Sequence, residues 1–113
     1  NISTKVVTNM INEHPDIDLI VFLGAGIASG LEVLNKYNNK IRAITVDQNE
    51  SISNGLQSGL VLATVTQHPY TQGIKAMEVV YDCLIRKKKV GDKKVMDNSI
   101  VLKESIIPHK FND

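Results

Sequence analysis

Leu19-Ile20-Val21-Phe22-Leu23 runs directly into Gly24-Ala25-Gly26. Five consecutive apolar residues suit a strand covered on both faces, as in parallel sheets. The glycines supply a tight turn, and Ile27, Leu31, Val33 and Leu34 then recur at helical spacing. The same rhythm continues downstream. Asn38-Asn39 stops the helix, and Ile41 to Val46 reads as a second strand. Ile52 and Leu56 mark a short helix closed by Gly59, and Leu60 to Thr66 reads as a third strand. Pro69 suits the first turn of the next helix. The expected buried face of that helix is Ile74, Met77, Val80, Tyr81 and Leu84. Ile100 to Leu102 makes a fourth, peripheral strand. Upstream, Ile2, Val6, Val7, Met10 and Ile11 share a helical face, with Ser3 or Asn1 available as N-cap. His14-Pro15 ends that helix, because the residue before proline is pushed out of the α region.

Strands alternating with helices imply an α/β fold with parallel pairing and right-handed crossovers. The expected architecture is a three-layer Rossmann-like lobe. It has a parallel sheet of about four strands with helices on both faces. The chain starts on a helix that a strand would ordinarily feed, so an upstream first strand is expected to be missing. Residues 1–104 read as one lobe and 105–113 as a tail without period. The chain has 113 residues, 42% of them apolar and 22% charged, the composition of an ordinary globular domain, which argues against a disordered chain. A net charge of +1 gives no whole-domain pull toward nucleic acid or an anionic membrane. Cys83 is the single cysteine, so no internal disulfide forms. Its apolar helix suggests a packed thiol. No apolar run approaches the roughly 20 residues of a membrane span. No signal-peptide pattern is visible, and the chain does not begin with Met, so location stays open.

In open α/β sheets, ligands bind beyond the carboxyl ends of the strands. Gly24-Ala25-Gly26, Asp47-Gln48-Asn49 and Gln67-His68 fall there. Asp47 accepts hydrogen bonds in the plane of its carboxylate, and Gln67 both donates and accepts. A polyol needs both kinds of partner. The alternative is that Asp47 caps the following helix and Gln67 sits in an ordinary loop. Gly24, Gly26 and Gly30 with Asp47 also resemble a dinucleotide-binding fingerprint. The spacing is GxGxxxG rather than GxGxxG, a lone glycine motif is weak, and a tight turn with close helix packing is the favoured explanation.

The remaining groups carry less. Ser29 is not in a nucleophile elbow. His14, His68 and His109 lie far apart, and with one cysteine they give no metal-ligand spacing. Arg86-Lys87-Lys88-Lys89 and Lys93-Lys94 form a basic cluster at a helix end, where a solvated face is the usual outcome. No aromatic residues interleave with it, which argues against nucleic acid. No activated nucleophile or matched acid–base pair is present. The expectation is a binding module, not an enzyme, without cofactor or metal.

Ile44-Thr45-Val46-Asp47 resembles the strand-Asp element of the ribose-binding-protein family, the type I periplasmic binding proteins. The stretch from Ser58-Gly59 through Ala63-Thr64-Val65-Thr66-Gln67-His68-Pro69-Tyr70-Thr71-Gln72-Gly73 is similar to the family's "SGKLAATVAQNPYEMG". Ile11-Asn12-Glu13-His14-Pro15-Asp16-Ile17-Asp18 looks like the "LLxAHPDID" that leads into its second, carboxy-terminal lobe. The likeness runs to about Lys103, and Gly59 to Gly73 is its most specific part.

The resemblance implies a sugar or similar small polar ligand held between two hinged lobes. Asp47 and Gln67 match positions that hydrogen-bond sugar hydroxyls. The family often places an Asn after the first strand of this lobe. Leu23-Gly24-Ala25-Gly26 has no amide there, so that contact is either lost or replaced by backbone N–H groups of the turn at Gly24 and Ala25. The implied partners are the missing amino-terminal lobe and an ABC permease or membrane sensor. An exposed sheet edge would also invite a second copy of the chain. The implied location is extracytoplasmic, periplasmic or anchored at the cell surface. The related LacI-type repressors use the same fold as an effector-binding lobe, which would be cytoplasmic. Ala63 to Gly73 looks more like the transport branch.

Overall fold

The computed structural model describes residues 2–92 and 94–106. Its elements are α1 (Ile2–Glu13), β1 (Leu19–Val21), α2 (Ile27–Asn35), β2 (Arg42–Val46), α3 (Glu50–Ser58), β3 (Val61–Thr66), α4 (Pro69–Leu84) and β4 (Ser99–Leu102). A 3-10 turn at Lys103–Ser105 follows. The helix–strand alternation and the α/β class therefore match the sequence pattern. The strands form one sheet in the order β1-β2-β3-β4, with β4 at an edge. β1 pairs parallel to β2, with Ile20 opposite Ala43. β2 pairs parallel to β3, with a register irregularity between Ala43 and Ile44.

Two compact units make up the chain. One runs to Thr66 and resumes at Ile100, and the other is Gln67–Ser99. The first holds a single core. Ile20, Ala43 and Val61 point into it from the strands, as the two-residue period of a strand requires. Val7 and Ile11 from α1, Leu31 and Leu34 from α2, and Ile52 and Leu56 from α3 complete it. Leu34, Ala43 and Ile52 are fully buried. Val33 is buried as well as Leu34, which widens the apolar stripe of α2.

Local chemistry explains the element ends. Gly26 takes a left-handed φ of +87° immediately before α2. Asn38 and Asn39 are also left-handed, and the helix has already ended at Asn35. Asn39 then donates from Nδ2 to the Ser58 carbonyl at 3.2 Å, occupying an acceptor at the end of α3. Gly59, with φ +82°, closes α3 as the sequence suggests.

Five expectations need correction or restriction. α1 begins at Ile2, so Ser3 lies inside its first turn and is not the N-cap. Asn1 lies outside the described residues, as do Lys93, His109 and most of the 105–113 tail. In β1 only Ile20 is buried; Val21 is 54% exposed. The apolar run permits cover on both faces, but apolarity says only which faces can be covered. α4 buries no residue, and Ile74, Met77, Val80, Tyr81 and Leu84 are all exposed. The helical period aligns side chains on one face, whereas burial needs a second element laid on it. Cys83 is exposed for the same reason.

Thr45 is fully buried, and its Oγ1 has no hydrogen-bond partner among the described residues. A buried hydroxyl left unpaired costs about 1–3 kcal/mol. Thr45→Val keeps the branched shape and removes that hydroxyl. The urea midpoint is expected to rise, by the equivalent of about 1 kcal/mol. A lower midpoint would show that the hydroxyl has a partner in solution.

Candidate functional site

The parallel pairing brings the carboxyl ends of β1, β2 and β3 to one edge of the sheet. The ladder extends one residue past β1, since Phe22 N–H donates to the Ile44 carbonyl at 2.8 Å. Leu23, Gly24 and Ala25 then turn outward and are exposed. A Cβ at Gly24 would meet nothing within 4 Å, so its backbone is open to approach. A mostly apolar surface cavity of about 260 Å³ lies beside the turn, lined by Val6, Met10, Val21 and Leu23 among others. Its walls offer packing area but few polar partners.

Gly26 and Gly30 are required by packing. A Cβ at Gly26 would collide with the Ser3 side chain, and one at Gly30 with the Phe22 ring. Both glycines of that spacing are thus accounted for by the turn and by close helix packing.

Asp47 follows β2 and takes a left-handed backbone, φ +75°. Non-glycine residues visit this region rarely, though Asp and Asn tolerate it best. Two bonds hold it there. Its N–H donates to the Val65 carbonyl at 2.8 Å, and its carbonyl accepts from Thr64 Oγ1 at 2.6 Å. Thr64 is fully buried, so its hydroxyl is a fixed support. The Asp47 side chain is exposed and makes no hydrogen bond or ion pair with any described residue. Capping of α3 falls to Asn49, whose side chain accepts from Ile52 N–H at 3.0 Å. The alternative reading of Asp47 as the helix cap is therefore overturned.

Gln67 directly follows β3 and opens the second unit. Its carbonyl accepts from Gln72 Nε2 at 2.6 Å, and its side chain is exposed. His68 is left-handed, with φ +53°, and sits at the N-cap position of α4 without a side-chain cap bond. Its Nε2 lies 2.8 Å from Ser99 Oγ. The Gly24-Ala25 turn and Asp47 are thus brought to the same end of one unit, while Gln67 belongs to the other. Sequence reading missed the left-handed backbone at Asp47 and His68, and the Thr64 support. A polar residue directly after a strand is the only signal for the first. Nothing in the pattern marks Thr64.

The fold has counterparts among solved structures. A glucose-galactose binding protein from Geobacillus stearothermophilus superposes with a TM-score of 0.83 at 22% identity, over 92% of this chain and 38% of that one. The chain has the fold of one lobe of the type I periplasmic binding proteins. An ABC transporter solute binding protein from Agrobacterium vitis with bound D-fucose matches the lobe at TM-score 0.81 and 21% identity, over 95% of this chain and 38% of that one. A Bacteroides fragilis protein classed as a LacI transcriptional regulator matches at TM-score 0.79 and 24% identity, over 91% and 36%. The lobe thus spans less than two fifths of the length of these structures. No protein-family model matches the chain, and no curated protein sequence does.

In this lobe the cap and the left-handed aspartate are separable. Asn49→Ala is expected to cost about 1 kcal/mol in chemical denaturation, through loss of the α3 cap. Asp47→Gly is expected to stay within about 1 kcal/mol of the parent, because glycine adopts that backbone without steric cost. A larger loss in Asp47→Gly would reveal a structural role for the carboxylate.

Proposed function

We propose that the chain is the carboxy-terminal, ligand-binding lobe of a two-lobed receptor for a sugar or similar small polyol, with Asp47 and Gln67 as ligand contacts. The observation that carries this reading is the Asp47 carboxylate. It is exposed at the carboxyl end of β2, without a partner among the described residues, on a strained backbone held by Thr64 and Val65. Strain of this kind persists where surrounding bonds impose it, and it clusters at ligand sites. An ionised carboxylate makes strong, short hydrogen bonds to hydroxyl donors. Gln67 would add a donor and an acceptor. The open backbone at Gly24 and Ala25 would supply N–H groups where no side-chain amide is present.

Two of the similar structures are a sugar-binding protein and a solute-binding protein holding D-fucose, which favours a sugar-class ligand. The ligand would be shared with a second lobe, and its contacts to both lobes would favour the closed state. Closure would present a surface to an ABC permease or a membrane sensor, in an extracytoplasmic setting. Among the described residues no helix is long and apolar enough to cross a membrane. Binding without catalysis is part of the same proposal.

A second reading, as the effector lobe of a LacI-type repressor, is favoured by the Bacteroides fragilis structure. A secretion leader in the encoding gene would support the transport reading, and a helix-turn-helix segment would support the repressor. In the full-length receptor, Asp47→Ala and Gln67→Ala are each expected to weaken binding of the cognate pentose or hexose by more than about 1 kcal/mol, read by calorimetry. Unchanged affinity in both variants would reject the site. A thermal shift with NAD, and none with sugars, would move the chain to a dinucleotide-binding class.

A further inference from the structure

The charge of this chain is unevenly placed. Residues 86–94 hold six of the thirteen Lys and Arg and one of the twelve Asp and Glu, a net +5. The rest of the chain, with seven cations and eleven anions, is left at −4. The near-neutral total conceals one strongly basic strip. The strip is held at the end of α4: Lys87 takes a left-handed backbone with φ +52°, and Lys88 N–H donates to the Asp82 carbonyl at 3.0 Å.

The end of a helix does not account for so much charge. Its dipole amounts to roughly half a negative charge, which one cation offsets. Asp82 is shared by Arg86 at 3.2 Å and Lys88 at 3.5 Å, and Arg86 also stacks on the Tyr81 ring, 5.2 Å from its centroid. Lys87, Lys89 and Lys94 are exposed and have no ion pair among the described residues. Apolar side chains stand beside them. Ile85 is 63% exposed and Val95 79%, and Leu84 and Val90 are exposed as well.

We propose that the exposed residues of segments 84–92 and 94–95 form a contact surface for an anionic lipid bilayer, independent of the sugar site. Lys87, Lys89 and Lys94 lie against the headgroups, and Ile85, Val90 and Val95 enter the interfacial layer. Residue choice favours a bilayer over a folded partner. Lysine is depleted in protein–protein interfaces, where arginine is enriched for its fixed, forked geometry. The arginine here is already engaged, and the uncommitted cations are all lysines. Point charges on flexible stems suit a diffuse layer of negative charge, and interleaved apolar residues suit its acyl boundary.

The test is co-sedimentation of the full chain with phosphatidylcholine vesicles containing one-third phosphatidylglycerol, against pure phosphatidylcholine. Binding is expected only to the anionic vesicles and should fall with added salt. Neutralising Lys87, Lys89 and Lys94 to Gln together should weaken it about a hundredfold, at about fivefold per lysine near such a surface. These side chains are exposed, so the variant should keep the parent's circular dichroism. Val95→Ser keeps every charge; it should weaken vesicle binding several-fold and leave binding to duplex DNA unchanged. No vesicle binding by the parent, equal binding by the triple variant, or tighter binding to duplex DNA than to vesicles would each overturn the proposal.

Discussion

Parallel pairing of β1, β2 and β3 is the constraint from which the rest of this lobe follows. Parallel neighbours cannot be joined by a tight hairpin; the chain must cross back over the sheet, and it does so as α2 and α3. Each crossover helix must bury an apolar stripe, and Leu34 and Ile52 meet Ala43 and Val61 in a single core. Ala43 is small and wholly buried at the centre of that seam. The same constraint points β1, β2 and β3 toward one edge, where the Gly24-Ala25 turn and Asp47 emerge.

Division of labour among neighbours gives Asp47 its character. An aspartate just before a helix would ordinarily satisfy a free backbone N–H of the first turn. Asn49 does that here, two residues later. Thr64 and Val65, from the adjacent strand, hold the Asp47 backbone by its carbonyl and its N–H. The carboxylate is left pointing to solvent with its backbone fixed by bonds that do not involve it.

The two units differ in how they use apolar residues. The first converts them into a core. The second, Gln67–Ser99, displays them: α4 carries a regular apolar stripe and buries none of it, and the strip beyond it mixes exposed valine and isoleucine with lysine. An exposed apolar patch is ordinarily a contact surface waiting for a partner. The two surfaces differ in chemistry, one apolar and aromatic with Tyr70, Met77 and Tyr81, the other cationic.

By itself, the amino-acid order determined the elements, their order along the chain and which polar residues follow the strands. Those features rest on short-range physics. The apolar run of residues 19–23, the glycine at 59 and the proline at 69 act through neighbours a few positions away. Gln67 and Asp47 were likewise legible as polar residues following strands. Tertiary structure alone decided that Thr64 would brace Asp47 across seventeen positions of chain, and that Gly30 faced the Phe22 ring. It also decided that α4 and β1 would leave apolar faces exposed. Each of these depends on a partner distant in the chain, or on its absence among the described residues, and periodicity carries no record of either.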